Sequence, residues 1–273
     1  MGIDFQKYRS WDGMHSNMGQ RVLTIVKKGA VLAFKSKWVI ALIILTYFFG
    51  VVTRLVSIIF MPVKFEPEFF QGFFDESQLW FILMSAVVGS GLIADDLKNN
   101  SVVLYFSRVS KAGYITGKFG VLASVLSVVV LLPGILLFFM ALLSSSESWS
   151  QLFDHLWILG AIMATGLFII ALMGSVSLAI SSLTSDKRYA GAGIFIIFLF
   201  SGIIAEVLKD ILENDRLAMI SIWNNVRVVG WHLFNTQNSY NFPWYESLLA
   251  LAAVIMCSAG IIYWKIFRKE VRV

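Results

Sequence analysis

Six stretches of nearly unbroken apolar sequence leave this chain few folds to choose from. They cover residues 38–60, 79–93, 119–143, 156–183, 189–205 and 245–264. About 20 apolar residues in a helix cross the roughly 30 Å of a bilayer's hydrocarbon. No water is available there, so each crossing must pair its own peptide groups within a helix. The second stretch is short and the fifth is at the lower limit; tilted neighbours and flanking polar turns complete such spans. The expected fold is therefore an all-α integral membrane protein with six transmembrane helices. Composition agrees: 58% of residues are hydrophobic and 14% charged, against about 25% charged in a soluble domain.

Charge placement gives the orientation. With the N-terminus inside, 17 of the 22 Lys and Arg residues fall on the inner side. They lie ahead of residue 38, between the second and third spans, at Lys187 and Arg188, and after residue 264. Lys64, Lys209, Arg216 and Arg227 fall on the outer side. This positive-inside bias predicts a multi-pass protein of the cell membrane with both termini cytoplasmic. In such a chain the net charge of +5 reports orientation rather than a nucleic-acid partner. The last cation, Arg54, lies 16 residues past Trp38, or about 24 Å along a helix. That is near the outer interface, where its long side chain is expected to snorkel out to water. The first apolar run follows polar, basic residues, unlike a secretory leader, so the spans themselves are expected to target the chain. A single cysteine, Cys257, excludes an internal disulfide framework.

Three regions follow. Residues 1–37 form a cytoplasmic N-terminus that ends in an amphipathic helix. Arg21, Lys28 and Lys35 share one face of it, and Leu23, Val26, Ala30 and Phe34 another. Such a helix lies along an anionic inner leaflet, as an anchor or as an elbow that touches a cytoplasmic partner. Residues 38–264 form the transmembrane domain, and 265–273 a basic cytoplasmic tail. Within the domain, the outer segment 206–244 is too apolar for a solvated loop. Val207, Ile211 and Leu217 precede Val226, Val228, Val229, Trp231, Leu233 and Phe234. The expectation is short re-entrant helices that dip into the outer leaflet or cap a pathway, with Trp231, Trp244 and Tyr245 at the boundary. Pro133-Gly134 is expected to interrupt and kink the third span. Gly160 with Ala164, and Ala171 with Ser175, would allow close helix contact in the fourth. Ser85, Ser90 and Ser201 are candidates to line a polar pathway, in competition with bonds to their own helices.

Catalytic chemistry is missing. Gly113-Tyr-Ile-Thr-Gly117-Lys118-Phe119 falls one residue short of a phosphate-binding loop, and Phe119 stands where a Ser or Thr would hold magnesium. His15, His155 and His232 lie on different segments with no metal-ligand spacing. No nucleophile elbow or metalloprotease motif occurs. Asp95 and Asp96 are adjacent, so on a helix they point apart, and they read as a solvated turn. With Arg54 the one ionisable candidate in the spans, an ion relay is not expected. Energy for transport would then come from a separate motor. The chain is expected to be no enzyme and to hold no metal or cofactor.

The informative stretch is 89–120, GSGLIADDLKNNSVVLYFSRVSKAGYITGKFG. A span ends in small residues and two acids, turns at Asn99-Asn100-Ser101, and forms a short apolar piece before the next span. Such a compact cytoplasmic knob is what a motor protein would push on. The stretch resembles the permease subunits of ABC transporters of the type-2 exporter class. Asp95 or Asp96 matches their acid after the second span, and Asn100-Ser101 stands where Gly-Thr is usual. Val102-Val103-Leu104-Tyr105 matches their apolar stretch. Ser107-Arg108-Val109-Ser110-Lys111 matches a following string but lacks its proline, and Tyr114 with Gly117-Lys118 matches closely.

The resemblance implies a homodimer or heterodimer of permeases above two cytoplasmic ATPase subunits, which would bind the ATP and magnesium. It also implies that residues 94–118 dock on the ATPase, through Asp95, Asp96, Asn100, Ser101, Arg108, Lys111, Tyr114 and Lys118. Membrane lipids are further expected partners. A membrane scaffold or assembly subunit without a transport path would have the same composition and topology, and stands as the alternative.

Overall fold

The computed structural model describes residues 17–60, 66–144 and 152–267. His15 and most of the N-terminal region, Lys64, and the basic tail from Arg268 lie outside the described residues. Every regular element among the described residues is helical. The chain begins with α1 (Met18–Phe34). The first long helix is composite: α2 (Lys37–Thr46), a π-helical turn (Tyr47–Val52) and α3 (Thr53–Phe60). Next come α4 (Pro67–Glu76), α5 (Gln78–Lys98), α6 (Val102–Phe106), α7 (Lys111–Ser144), α8 (Leu152–Leu183) and α9 (Lys187–Leu212). A 3₁₀ turn (Asp215–Ile220), α10 (Ile222–Leu233) and α11 (Trp244–Ile262) complete the order, the last prolonged by a π-helical turn (Tyr263–Phe267).

Six helices are long and apolar enough to cross a membrane: Lys37–Ile58, Gln78–Lys98, Lys111–Ser144, Phe153–Leu183, Lys187–Leu212 and Trp244–Ile266. They coincide with the six stretches expected from sequence, and they differ mainly at their ends. α7 starts at Lys111, well before the apolar run. Its 34 residues extend about 51 Å, far more than the hydrocarbon requires. The chain alternates direction, so one end of the bundle carries α4 and α10 and the other carries α6.

α5, α7 and α8 form the centre. The most apolar window of α7 is 61% buried, against 17% for α9. Phe81, Ile82, Met84, Leu122, Val125, Val129, Ile162, Ile169 and Met173 fill the core between them. Packed helices in such a bundle approach closely where side chains are small. That occurs at Gly89, where an added Cβ would lie 2.7 Å from Cβ of Ser177 on α8. The first small pair singled out in the fourth span, Gly160 with Ala164, does not serve this purpose. A Cβ on Gly160 would meet nothing, and Ala164 is exposed. The helix also does not stop at Pro133. α7 passes through it unbroken, with Pro133 and Gly134 both buried.

α1 lies beside the first turns of α7. Val22, Ile25 and Val26 meet Gly113, Gly117 and Gly120 in that order, so the two helices run in the same direction. A Cβ on Gly120 would lie 2.7 Å from a methyl of Val26, a β-branched residue with little rotamer freedom to move aside.

The α4 end holds α4, which sequence reasoning did not foresee, and α10, within the segment expected to form short helices. α4 begins with Pro67 in its first turn, where a missing N–H is harmless. It buries Phe70, Phe73 and Phe74 against Phe138, Phe81 and Phe234, with ring centroids 6.1 Å apart in each case. α4 also corrects the reading of Arg54. That side chain does not snorkel: the residue is 8% exposed. Its guanidinium donates to the carbonyl of Phe69, pairs with Glu76 at 2.8 Å and sits over the Phe69 ring. α10 buries Trp223, Asn224, Asn225, Val226 and Val229 and packs on α8, α9 and α11. Segment 206–244 thus contains short helical elements, as expected, and α10 is packed against the bundle.

The α1–α7 seam gives a direct check. Gly120→Leu should push α1 off α7, so that trypsin cleaves at Lys27 and Lys28 at least about tenfold faster than in the unaltered protein. Unchanged cleavage would mean that α1 is held elsewhere.

Candidate functional site

The α6 end gathers most of the candidate residues. α5 ends in a left-handed residue, Asn100, with φ 53°. Asparagine tolerates this conformation better than other residues with a side chain. The N–H of Ser101 donates to the carbonyl of Asp96 at 3.0 Å, and that of Asn100 to Leu97 at 3.4 Å. This double closure is a Schellman motif, which satisfies the last carbonyls of a helix and reverses the chain. The reversal returns the Ser101 hydroxyl to Asp96, where it donates to Oδ1 at 3.0 Å.

Asp96 is the hub. Its Oδ2 accepts from the Tyr114 hydroxyl at 2.7 Å and pairs with Lys118 Nζ at 2.7 Å. Both members of the pair are largely enclosed, with side-chain exposures of 11% for Lys118 and 14% for Asp96. Tyr114 and Lys118 lie one turn apart on α7, so they present to the same point. The Lys118 ammonium also lies 5.2 Å from the centre of the Tyr105 ring and 5.5 Å from that of Tyr114, an attractive placement for a cation. Burial pushes the Tyr105 hydroxyl pKa upward, and the Asp96 charge adds to this. The network joins α5, α6 and α7 through one carboxylate.

The remaining candidates divide. The adjacent acids separate as expected for helix neighbours, but Asp96 is no solvated turn residue. Asp95 is half-buried, and its carboxylate makes no hydrogen bond or ion pair among the described residues. Arg108 is exposed, and its carbonyl accepts from Arg21 of α1 at 2.9 Å. The Lys111 ammonium lies 5.7 Å from the Phe106 ring. α6 buries Val102 and leaves Val103 and Leu104 52% and 69% exposed.

Of the candidate pathway serines, Ser201 bonds to its own helix at Phe198. Ser90 likewise donates to its own helix, at Val87, and its side chain lies by Gly191 of α9, whereas Ser85 faces the α5–α8 seam. The Ser85 and Ser177 hydroxyls are 2.5 Å apart in the core. Ser181 donates to the Ser90 carbonyl at 2.8 Å and accepts from the N–H groups of Ile93 and Ala94. A side chain thus reaches into the backbone ladder of α5 just before the two acids, a cause of local bending. Sequence reasoning missed Ser181; its signal was the small pair Ser177 and Ser181, four residues apart on α8.

A second polar network closes the α4 end. Glu206 accepts from Lys209, Asn224 and Tyr240, which ties α9 to the cap. Asp75 of α4 pairs with Arg227 of α10 at 3.1 Å. Burial raises the pKa of Asp75, and Arg227 opposes the rise. A cavity of about 360 Å³ lies between α4 and the residues after α10.

Removing one member of an enclosed ion pair leaves the other uncompensated. Lys118→Met should lower stability in detergent by about 3 kcal/mol, and adding Asp96→Leu should recover much of the loss. Additive losses would mean that the two do not act as a pair. Asn100→Gly should be tolerated, whereas Asn100→Val should cost about 1–2 kcal/mol, read as a shift in the midpoint of thermal unfolding. No protein-family model matches the chain, and no curated protein matches it, so a functional reading rests on these residues and their geometry.

Proposed function

We propose that the chain is the permease subunit of an ATP-driven transporter of the ABC type-2 exporter class. Two copies, or this chain and a similar partner, would stand above cytoplasmic ATPase subunits that bind ATP and magnesium. The observation that carries the reading is convergence at the α6 end. The residues that bear the resemblance are spread from Asp96 to Lys118, yet Asp96, Ser101, Tyr114 and Lys118 meet at one carboxylate. A spaced motif whose members bond to one another is a structural unit, and this one braces α6. Asn100-Ser101 also fits the usual Gly-Thr turn in physical terms: the first position is left-handed, and the second supplies a hydroxyl to the acid.

The unit presents a rigid surface. Val103, Leu104 and Arg108 are exposed at the end with the higher density of cations, which the positive-inside rule assigns to the cytoplasm. An ATPase that pushes on α6 would act directly on the ends of α5 and α7, the most buried helices of the bundle. Asp96, Ser101, Tyr114 and Lys118 then hold the knob together. Leu104, Arg108 and Lys111 are on the side that a partner would touch.

The other parts take their roles from this orientation. α1 is the elbow: its outward residues Leu23 and Val31 are exposed, and they would meet the inner leaflet beside the ATPase. α10, at about 18 Å for 12 residues, is too short to span, and would act as a re-entrant cap at the outer leaflet. The exposed apolar faces of α2, α9 and α11 would contact lipid or the second permease.

Two measurements test the reading. A tagged chain, gently solubilised from its native membrane, should co-purify with a soluble ATP-hydrolysing protein in stoichiometric amount. Leu104→Asp with Arg108→Glu should reduce that recovery by at least about tenfold, the loss of a few interface contacts, without changing the amount inserted. A complete chain that brings down no ATPase would favour the scaffold reading.

A further inference from the structure

Beside the Asp96 network, which lines one side of it, the α6 end holds a wide groove. It measures about 700 Å³ and is bounded by α1, α2, α5, α7 and the start of α9. Its polarity is ordered. On α5, Val87 and Val88 lead to Asp95 over eight residues, or about 12 Å. On α7 the order reverses with chain direction, from Lys118 to Val121. On α1, Thr24 and Lys28 come before Leu32 and Ala33. Three helices thus give the groove one charged end, at the α6 side, and one apolar end, towards the bundle's middle. This is the profile of an amphiphile held along the helix axes, not of a soluble metabolite.

The charges at the polar end specify the head. Asp96 and Lys118 neutralise each other. Lys28, Lys187 and Asp95 also line the groove, and the charged groups of these three side chains have no hydrogen bond or ion pair among the described residues. Two free ammonium groups suit one phosphate. A free carboxylate suits a group with N–H donors. Water-sized groups occupy about 30 Å³ each, so the groove takes more than ~20 of them, enough for a lipid head, its glycerol and the start of the acyl chains.

We infer that the groove is a binding site for a phospholipid with a phosphoethanolamine head. The phosphate lies between Lys28 and Lys187, the primary ammonium donates to Asp95, and the chains run past Leu32, Val39 and Val87. A choline head has no N–H to give Asp95, and a glycerol head brings no positive charge to offset it. The inference needs only that the six helices cross a membrane; it does not depend on an ATPase partner.

Native mass spectrometry of the detergent-purified full chain tests it, with equal amounts of dioleoyl phosphatidylethanolamine, phosphatidylcholine and phosphatidylglycerol. The ethanolamine lipid should be retained at least about tenfold over the choline lipid, the lower end of what one charged hydrogen bond contributes. Asp95→Asn, a near-isosteric change, should abolish that preference while phospholipid still binds. Lys28→Gln with Lys187→Gln should reduce all phospholipid adducts about tenfold. Equal retention of the three lipids, a preference for phosphatidylglycerol, or variants that bind as the unaltered chain does would each overturn the assignment.

Discussion

The Asp96 carboxylate is largely out of water, at 14% side-chain exposure, and everything at the α6 end is arranged to compensate it. Stripping a carboxylate and an ammonium of water costs several kcal/mol per ion, so a buried pair survives only with excellent geometry and further hydrogen bonds. Both conditions hold. Lys118 is at 2.7 Å, and the hydroxyls of Tyr114 and Ser101 complete the oxygens. Meeting them dictates the local chain path. α5 must end in a left-handed turn so that Ser101 can return, and α7 must begin early enough to carry Tyr114 and Lys118 on one face. The extension of α7 to Lys111 follows from that need.

The same economy governs the bundle interior. Apolar side chains alone do not distinguish one helix pairing from another where the surroundings are equally apolar. Specific pairing here comes from small and hydroxyl-bearing residues. Gly89 admits Ser177, Ser85 bonds to Ser177, and Ser181 inserts into the α5 ladder. On the periphery, Gly117 and Gly120 admit α1. At the opposite end, aromatic rings and the Arg54–Glu76 and Arg227–Asp75 pairs attach α4 and α10 to the bundle. The Ser181 contact is immediately before Asp95 and Asp96, so the α5–α8 seam and the α6 knob share one stretch of α5.

The groove beside this knob owes its form to the same helices. α1 lies along α7 because glycines let it, and α2 then departs from α1 at Ser36, leaving space next to α5. Asp96 turns towards α7, and its neighbour Asp95 turns into the groove, because adjacent residues on a helix diverge by about 100°.

The spans, their number and their ends' charge bias were legible in the sequence, because apolar run length is a local property and the bilayer fixes the length required. So were the turn at Asn99-Asn100-Ser101 and the short apolar helix after it, since those residues are ordered along the chain. What the tertiary structure alone decided was pairing across distance. Nothing local to Arg54 announces that α4 will cover it, and spacing alone predicted snorkelling. Nothing near Asp96 tells that Lys118, 22 residues on, will neutralise it while the Asp95 carboxylate finds no partner among the described residues. Gly160 and Gly89 look alike in sequence, and only packing shows that the second meets a helix and the first meets none. Periodicity records which face of a helix is apolar; which neighbour meets that face depends on long-range geometry, and there the buried charges and hydroxyls find their partners.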